Sequence, residues 1–323
     1  MPVKTIVVGK NDAGQRLDKF LTKLLNIPQP LIYKYLRLKR VRLNGARAEI
    51  SARLSEGDVL TLYIKDDQFR SPDDAANAYL KVKPRLSVVY EDRNILIADK
   101  PPGLLVHPDE SEQVNTLLAR IQSYLYHKGE YRPDDEHTFS PALCNRIDRN
   151  TGGLVIAAKN AESLRILNER IRQRQVRKFY LCVVHGVFEK SAGELQNYLY
   201  KDERRNMVFL RDRLTGDART AVTRYKVLCE KNGMSLVEAE ILTGRTHQIR
   251  AQFAAAGHPL AGDGKYGTNE QNKNVSLPYQ ALYSYRLVMN FRSPAGLLDY
   301  LNGKSFTAPR VAFAERFLET GRV

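Results

Sequence analysis

Two short runs of this 323-residue chain carry side chains dense enough to do chemistry. The first, Asn145-Arg146-Ile147-Asp148-Arg149-Asn150-Thr151-Gly152-Gly153, sets one carboxylate between two arginines just ahead of the apolar stretch Leu154-Val155-Ile156. Nearby positive charge favours the ionised form of a carboxylate, so Asp148 is equipped to act as a nucleophile or a general base. The same arrangement also serves as a structural ion pair closing a turn, and the loop alone does not choose between the two. The second run, Thr243-Gly244-Arg245-Thr246-His247-Gln248-Ile249-Arg250, continues through Gly257-His258-Pro259 and Gly262-Asp263 to Lys265-Tyr266-Gly267. In a helix beginning at Thr246, His247 and Arg250 share a face. Gly244 and Arg245 ahead of it suit a phosphate approaching the helix amino terminus. The plainer alternative is a polar helix start whose arginines pair with acids. Taken alone, His247 fits a hydrogen-bonded structural histidine better than a base.

Other chemistries lack their residues. Val8-Gly9-Lys10 with Gly14 does not fit a phosphate loop, and no GxGxxG follows a strand-like run, so no nucleotide cofactor is expected. The 6 histidines include no pair at metal-ligand spacing backed by a carboxylate or cysteine, and no metal is expected. There is no GxSxG elbow, and Cys144 has no base near it in sequence. The 3 cysteines are widely spaced and read as reduced, buried thiols.

The elements that must position these runs follow from periodicity and punctuation. Leu17, Phe20, Leu21, Leu24 and Leu25 recur at helical spacing, and a second short helix is expected from Leu31, beyond Pro28 and Pro30. Val41 and Leu43, the Asn44-Gly45 turn dipeptide and the run Val59 to Ile64 read as strands. Lys34, Arg37, Lys39, Arg40 and Arg42 cluster where the second helix meets the first of these strands. The first 65 residues carry 13 basic against 5 acidic side chains, within a chain whose net charge is +15. Such a concentration favours a polyanion, with phosphates the natural partner, over an anionic membrane surface, for which no exposed amphipathic helix is visible. No apolar run approaches the length needed to cross a bilayer, and a cytoplasmic protein is expected. Asp66 to Val82, with its aspartates, Ser71, Pro72 and alanines, reads as a linker. Beyond it come strand-like runs at Leu86–Tyr90, Ile95–Ala98, Leu154–Ala158, Phe179–Val184, Ala221–Leu228 and Ser235–Leu242. Two helices interrupt them: Ala161 to about Gln175, capped by Asn160, and Thr246 to Ala256, closed by Gly257. Strands that follow one another this way predict an α+β fold with a mixed, mainly antiparallel sheet.

Three ordered motifs then become specific. They are Val89-Tyr90-Glu91-Asp92 leading to Lys100-Pro101-Pro102-Gly103-Leu104-Leu105-Val106-His107-Pro108, the Arg146-Ile147-Asp148-Arg149 loop with its Thr-Gly-Gly, and the Gly-Arg-Thr-His-Gln-Ile-Arg helix. Together they resemble the RluA-type pseudouridine synthases from Leu86 to the carboxyl terminus. The basic front segment is similar to the alpha-L RNA-binding module that accompanies the large-ribosomal-subunit members. The resemblance implies a small alpha-L module over 1–65, a linker over 66–82 and a catalytic domain over 83–323. It implies a cofactor-free isomerase that detaches uracil from ribose in RNA, rotates it and rejoins it through carbon 5. Asp148 then matches the catalytic aspartate, Arg250 the arginine that pairs with it, and Tyr180 the tyrosine that stacks on the base near the carbon-5 proton. Leu282 matches an apolar wall of the uracil pocket. Arg146, Arg245 and His247 in the site, and Lys34, Arg37 and Arg40 in the module, are expected to bind substrate. Without the resemblance, Tyr180 in an apolar strand reads as core. Asn145 and Tyr283-Ser284 depart from the family's usual histidine and His-Ala pair, which touches substrate choice and loop packing rather than the three central groups. The expected target is large-subunit rRNA, with tRNA open, and the expected state is a monomer. A non-catalytic RNA-binding ribosome-assembly factor would not need Asp148, Tyr180 and Arg250 together, and a methyltransferase or nuclease would need motifs the chain lacks.

Overall fold

The computed structural model describes residues 2–70, 77–211 and 213–323. Its elements in order are β1 (Lys4–Val7), α1 (Leu17–Leu24), α2 (Gln29–Arg37), β2 (Val41–Leu43), β3 (Ala46–Arg47), β4 (Val59–Leu62), α3 (Ala78–Lys81), β5 (Val88–Glu91), β6 (Ile95–Lys100), α4 (Leu117–His127), β7 (Ala142–Leu143), β8 (Gly152–Ala158), α5 (Ala161–Arg172), β9 (Val176–His185), β10 (Ala192–Asp202), β11 (Met207–Arg211), β12 (Arg219–Lys231), β13 (Met234–Ile241), α6 (Gln248–Ala255), α7 (Asn269–Asn272), β14 (Leu282–Met289), β15 (Ser305–Thr307) and α8 (Ala312–Thr320).

The front of the chain makes its own four-stranded sheet, β1-β4-β2-β3. Its core is the apolar stripe of α1 and α2 laid on that sheet: Leu17, Phe20 and Leu21 pack with Ile32, Leu36, Val41, Leu60 and Leu62. Pro30 does not delay α2 as expected, because its missing N–H falls in the first turn, where no intrahelical partner exists. This unit meets the rest of the protein through polar contacts. Asn11 donates to Glu136 at 2.6 Å and accepts from the Ala161 backbone N–H at 3.1 Å, Thr138 donates to Asp12 at 2.6 Å, and Arg165 donates to the Ala13 carbonyl at 2.8 Å. Of the expected linker, residues 71–76 lie outside the described residues; at its far end Tyr79 is buried edge-on against Tyr131.

Everything that carries the two chemical runs hangs on one large sheet in the order β11-β10-β12-β13-β9-β14-β8-β6-β5. All pairings along that path are antiparallel except β14 with β8, so the sheet is mixed and mainly antiparallel. β8, Gly-Gly-Leu-Val-Ile-Ala-Ala, is buried along its whole length because both faces are covered, which is why it reads as a continuous apolar run rather than an alternating one. One face packs Val155, Tyr180, Val237 and Leu282 under α4 and α6; the other packs Ile97, Ile156, Leu287 and Phe291 with Leu167 of α5.

Several expected boundaries move. Asn160 caps α5 as expected, accepting from the Ser163 N–H at 2.8 Å, but the helix stops at Arg172 and Arg174 takes φ 58°. α6 starts at Gln248 rather than Thr246, since His247 is left-handed at φ 49°. Two longer helices join the two expected beyond the linker. α4 is capped by Thr116, whose hydroxyl accepts from the Ala119 N–H at 3.2 Å, and α8 closes on Gly321 in the left-handed conformation.

Candidate active site

The Asp148 loop is built where β14 and β8 run side by side. Gly152 and Gly153 are required there: a Cβ on Gly152 would fall on the Tyr283 ring, and one on Gly153, whose φ is 118°, would fall on the Ser284 carbonyl. The turn is closed by the Thr151 N–H donating to the Asp148 carbonyl at 3.1 Å. It is pinned from below by Lys100, a fully buried lysine whose Nζ donates to the carbonyls of Leu104 at 2.7 Å, Arg149 at 2.8 Å and Pro101 at 3.0 Å. Three acceptors match the three N–H groups of an ammonium. Burial pulls this lysine down to about 7, against the opposing charges of Asp148 and Asp99. Reciprocal bonds between Gly103 and Arg149 fasten the Lys100-Pro101-Pro102-Gly103 segment to the same loop.

The positive charge that meets Asp148 comes from across the cavity. Both flanking arginines are exposed, and Arg149 turns to the Gly103 carbonyl and the Ser111 hydroxyl. Arg250, 102 residues away on α6, places Nη1 3.5 Å from Asp148 Oδ2. That guanidinium is buried and gripped in a fork: Nε donates to Asp263 Oδ2 at 2.7 Å and Nη2 to Asp263 Oδ1 at 2.9 Å. Burial opposes its charge, but the bonds and charge of Asp263, with Asp148 adding, hold it above its ordinary value. Asp263 is completely buried; the same fork outweighs desolvation and keeps its carboxyl below the usual range.

Asp148, Arg250, Tyr180, Leu282, Arg146, Arg245 and His247 all line one cavity of about 910 Å³. Tyr180 projects from β9, where it lies opposite Ala239 of β13 and Ser284 of β14. Burial first, then the charge of Asp148, raises its phenol well above the ordinary tyrosine value, against the nearby Ser284 hydroxyl, so it stays protonated. Leu282 is buried in the same wall. The shared helix face expected for His247 and Arg250 is replaced by a turn: His247 precedes the helix, and its Nδ1 lies 2.9 Å from the Tyr266 hydroxyl. Burial lowers this histidine to about 4, so it is neutral near pH 7. Gly244 stands in open space four residues ahead of α6, and Arg245 joins the start of the helix, its carbonyl accepting the Gln248 N–H at 3.2 Å and its N–H donating to Gln248 Oε1 at 3.1 Å, while its side chain donates to the Thr220 carbonyl at 3.0 Å. Lys34, Arg37 and Arg40 do not line the cavity; Lys34 and Arg37 face solvent on α2, and Arg40 lies over the Tyr35 ring. Asn145 braces β8, accepting from the Ile156 N–H at 2.8 Å, and Tyr283 donates to Asp99 at 2.7 Å. Local sequence does not distinguish Lys100, Asp263 and Tyr266 within the Lys-Pro-Pro-Gly and Gly-Asp-x-x-Tyr-Gly runs that hold them.

The profile of the RNA pseudouridylate synthase family matches residues 94–255. The chain is 33% identical over 292 residues to an uncharacterized RNA pseudouridine synthase of Mycoplasma genitalium, covering 87% of this chain and 88% of that one. The chain belongs to the RNA pseudouridine synthase family. It is also 31% identical to a ribosomal large subunit pseudouridine synthase C of Vibrio vulnificus over 82% of this chain and 80% of that one, which places it among the RluA-type members. Among solved structures, human RNA pseudouridylate synthase domain containing 4 superposes with a TM-score of 0.56 at 20% identity, covering 75% of this chain and 96% of that one. Human domain containing 1 gives 0.53 at 19%, covering 78% and 99%. Those likenesses establish the synthase fold, and the family makes this protein an RNA-acting isomerase.

Proposed function

We propose that this synthase converts uridines of structured RNA, most directly 23S rRNA, to pseudouridine, with Asp148 engaging the ribose, Tyr180 holding the extruded base and Arg250 aiming Asp148. The observation that carries the reading is the convergence of Arg250 Nη1 on Asp148 Oδ2 in the cavity that Tyr180 and Leu282 wall. The reaction breaks the bond from C1′ to N1 and forms one from C1′ to C5; the C5 proton is lost and N1 gains one, so no oxidant or cofactor is consumed. Chemistry at C1′ and C5 requires the base to leave its stack. A buried, protonated Tyr180 serves that step as a flat platform with a hydroxyl donor rather than as a phenolate base. Arg146 and Arg245 at the cavity edge suit the flanking phosphates, and Leu282 the apolar face of uracil.

Residues 1–65 act in this reading as an RNA-binding module, 66–82 as its linker and 83–323 as the catalytic domain, working as a cytoplasmic monomer. Relatives named for the large ribosomal subunit support the rRNA target. The test is pseudouridine mapping across total RNA from cells with and without the gene, paired with tritium release from carbon-5-labelled uridine by the purified protein. Sites lost from tRNA alone would move the target, and no lost site with no tritium release would favour a non-catalytic binding factor.

A further inference from the structure

The turn from Asp263 to Tyr266 is tied at one end to Arg250 and at the other to the β10–β11 hairpin. Asp263 uses both oxygens on Arg250, and its Oδ1 also accepts the backbone N–H groups of Lys265 at 2.9 Å and Tyr266 at 3.2 Å. Of the three guanidinium nitrogens, only Nη1 is left for Asp148. The Tyr266 ring lies under the same guanidinium, 5.1 Å from its carbon. Its hydroxyl accepts the Val208 N–H of β11 at 2.8 Å and lies 2.9 Å from Nδ1 of His247. Lys265 Nζ donates to the Asn206 carbonyl at the hairpin tip, beside the exposed Arg204 and Arg205. We propose that Asp263 is a positioning residue, which fixes Arg250 so that a single nitrogen is presented to Asp148, and that the Asp263–Tyr266 turn joins this pair to the basic hairpin. The inference rests on the catalytic reading of Asp148.

A fork of two charged bonds on a buried guanidinium removes its freedom to rotate, and a buried charge stripped of its partner turns toward the next available acceptor. Losing Asp263 therefore misaims Asp148 without touching the surfaces that hold RNA. For Asp263→Asn in the full-length protein, the single-turnover rate of tritium release should fall about a hundredfold while the KM for the same RNA changes less than about threefold. Combined with Arg250→Ala it should be no slower than Arg250→Ala alone, because the two act as one unit. An unchanged rate, or losses that multiply, overturns the proposal. Should Asp263→Asn fail to fold, Asp263→Glu decides: it keeps the charge but displaces it by one methylene, and should lose about tenfold in rate at unchanged KM; a wild-type rate overturns the positioning role. Tyr266→Phe keeps the ring and cuts the link to β11, so it should raise KM several-fold; an unchanged KM breaks the hairpin connection. An active Asp263→Asn beside a dead Asp148→Asn sinks this inference alone, whereas an active Asp148→Asn sinks the reading beneath it.

Discussion

The cations of α2 and the buried cations at and beneath the candidate site are the same residue types in opposite settings. Lys34 and Arg37 stand in water on a small sheet-and-helix unit, whereas Arg250 and Lys100 are buried and held by named partners. A solvated charge near a phosphate is worth little singly and is screened by salt, so it acts in number and adds affinity. A buried charge is expensive unless paired, so where one persists its partners fix its direction, and direction is what a reaction needs. On the proposed reading, exposure separates the charges that gather RNA from those that aim at it.

The hardest test of that division is Asp148→Asn, which preserves shape and removes charge. Tritium release should fall by at least about a thousandfold, because the amide can neither attack nor accept a proton, while RNA affinity stays within about twofold since no phosphate contact is lost. A folded Asp148→Asn protein with normal release would dissolve the distinction. Tyr180 comes next. Tyr180→Phe retains the platform and should slow turnover about tenfold with binding intact, whereas Tyr180→Ala also loses the stacking surface and should cost about a further tenfold. Equal rates for wild type and Tyr180→Phe would take the hydroxyl out of the chemistry.

On the other side of the comparison, alanine at Lys34, Arg37 and Arg40 together should leave the saturated rate unchanged and weaken RNA binding by about tenfold at physiological salt. The slope of log affinity against log salt should flatten by about 2 to 3, since each of the three phosphate contacts contributes a little under one. An unaltered slope would mean that this face does not meet phosphate.

How much of this was legible follows from the range over which each feature acts. α1, α5 and the fully buried β8 announce themselves locally, by helical spacing, an Asn cap and an unbroken apolar run. The helix α4 had a signal too, Thr116 ahead of Leu117, Ile121 and Leu125, but its period is diluted by buried Gln122 and Ser123. Strands β10 and β11 carry no clear local signal because one face of their hairpin is wet and polar, giving Ala192–Asp202 a mixed pattern. In the site, the ordered motifs single out Asp148, Tyr180 and Arg250 and imply the Asp148–Arg250 pairing, whereas the local charge pattern alone offers only the arginines beside Asp148, of which Arg149 turns elsewhere. The true partner and its own clamp, Asp263, meet only once α6 packs across the sheet, and no local pattern encodes that crossing. Lys100 was visible as a letter in a motif; that it is a buried tripod depends on three carbonyls brought together by two loops.

That tripod supplies the smallest expected effect and the one that tells a buried cation from a surface one by pH. Lys100 sits at about 7 in the folded protein, pulled down by burial, while the unfolded chain returns it to an ordinary lysine value of about 10.4. Between those values the unfolded state holds a proton that the folded state has released, so this group makes stability rise with pH across that window and contributes no slope below it. The urea midpoint of the wild type should therefore gain on that of Lys100→Met between pH 7 and pH 9.5. Over the same interval the neutral amine has two N–H groups for three carbonyls, so the loop carrying Asp148 loses one tie and the single-turnover rate should decline. A wild-type and Lys100→Met pair whose midpoints differ equally at both pH values would mean that Lys100 keeps its proton throughout. Its three carbonyls and two nearby carboxylates would then outweigh burial, and the tripod would be a fixed charge rather than a titrating one.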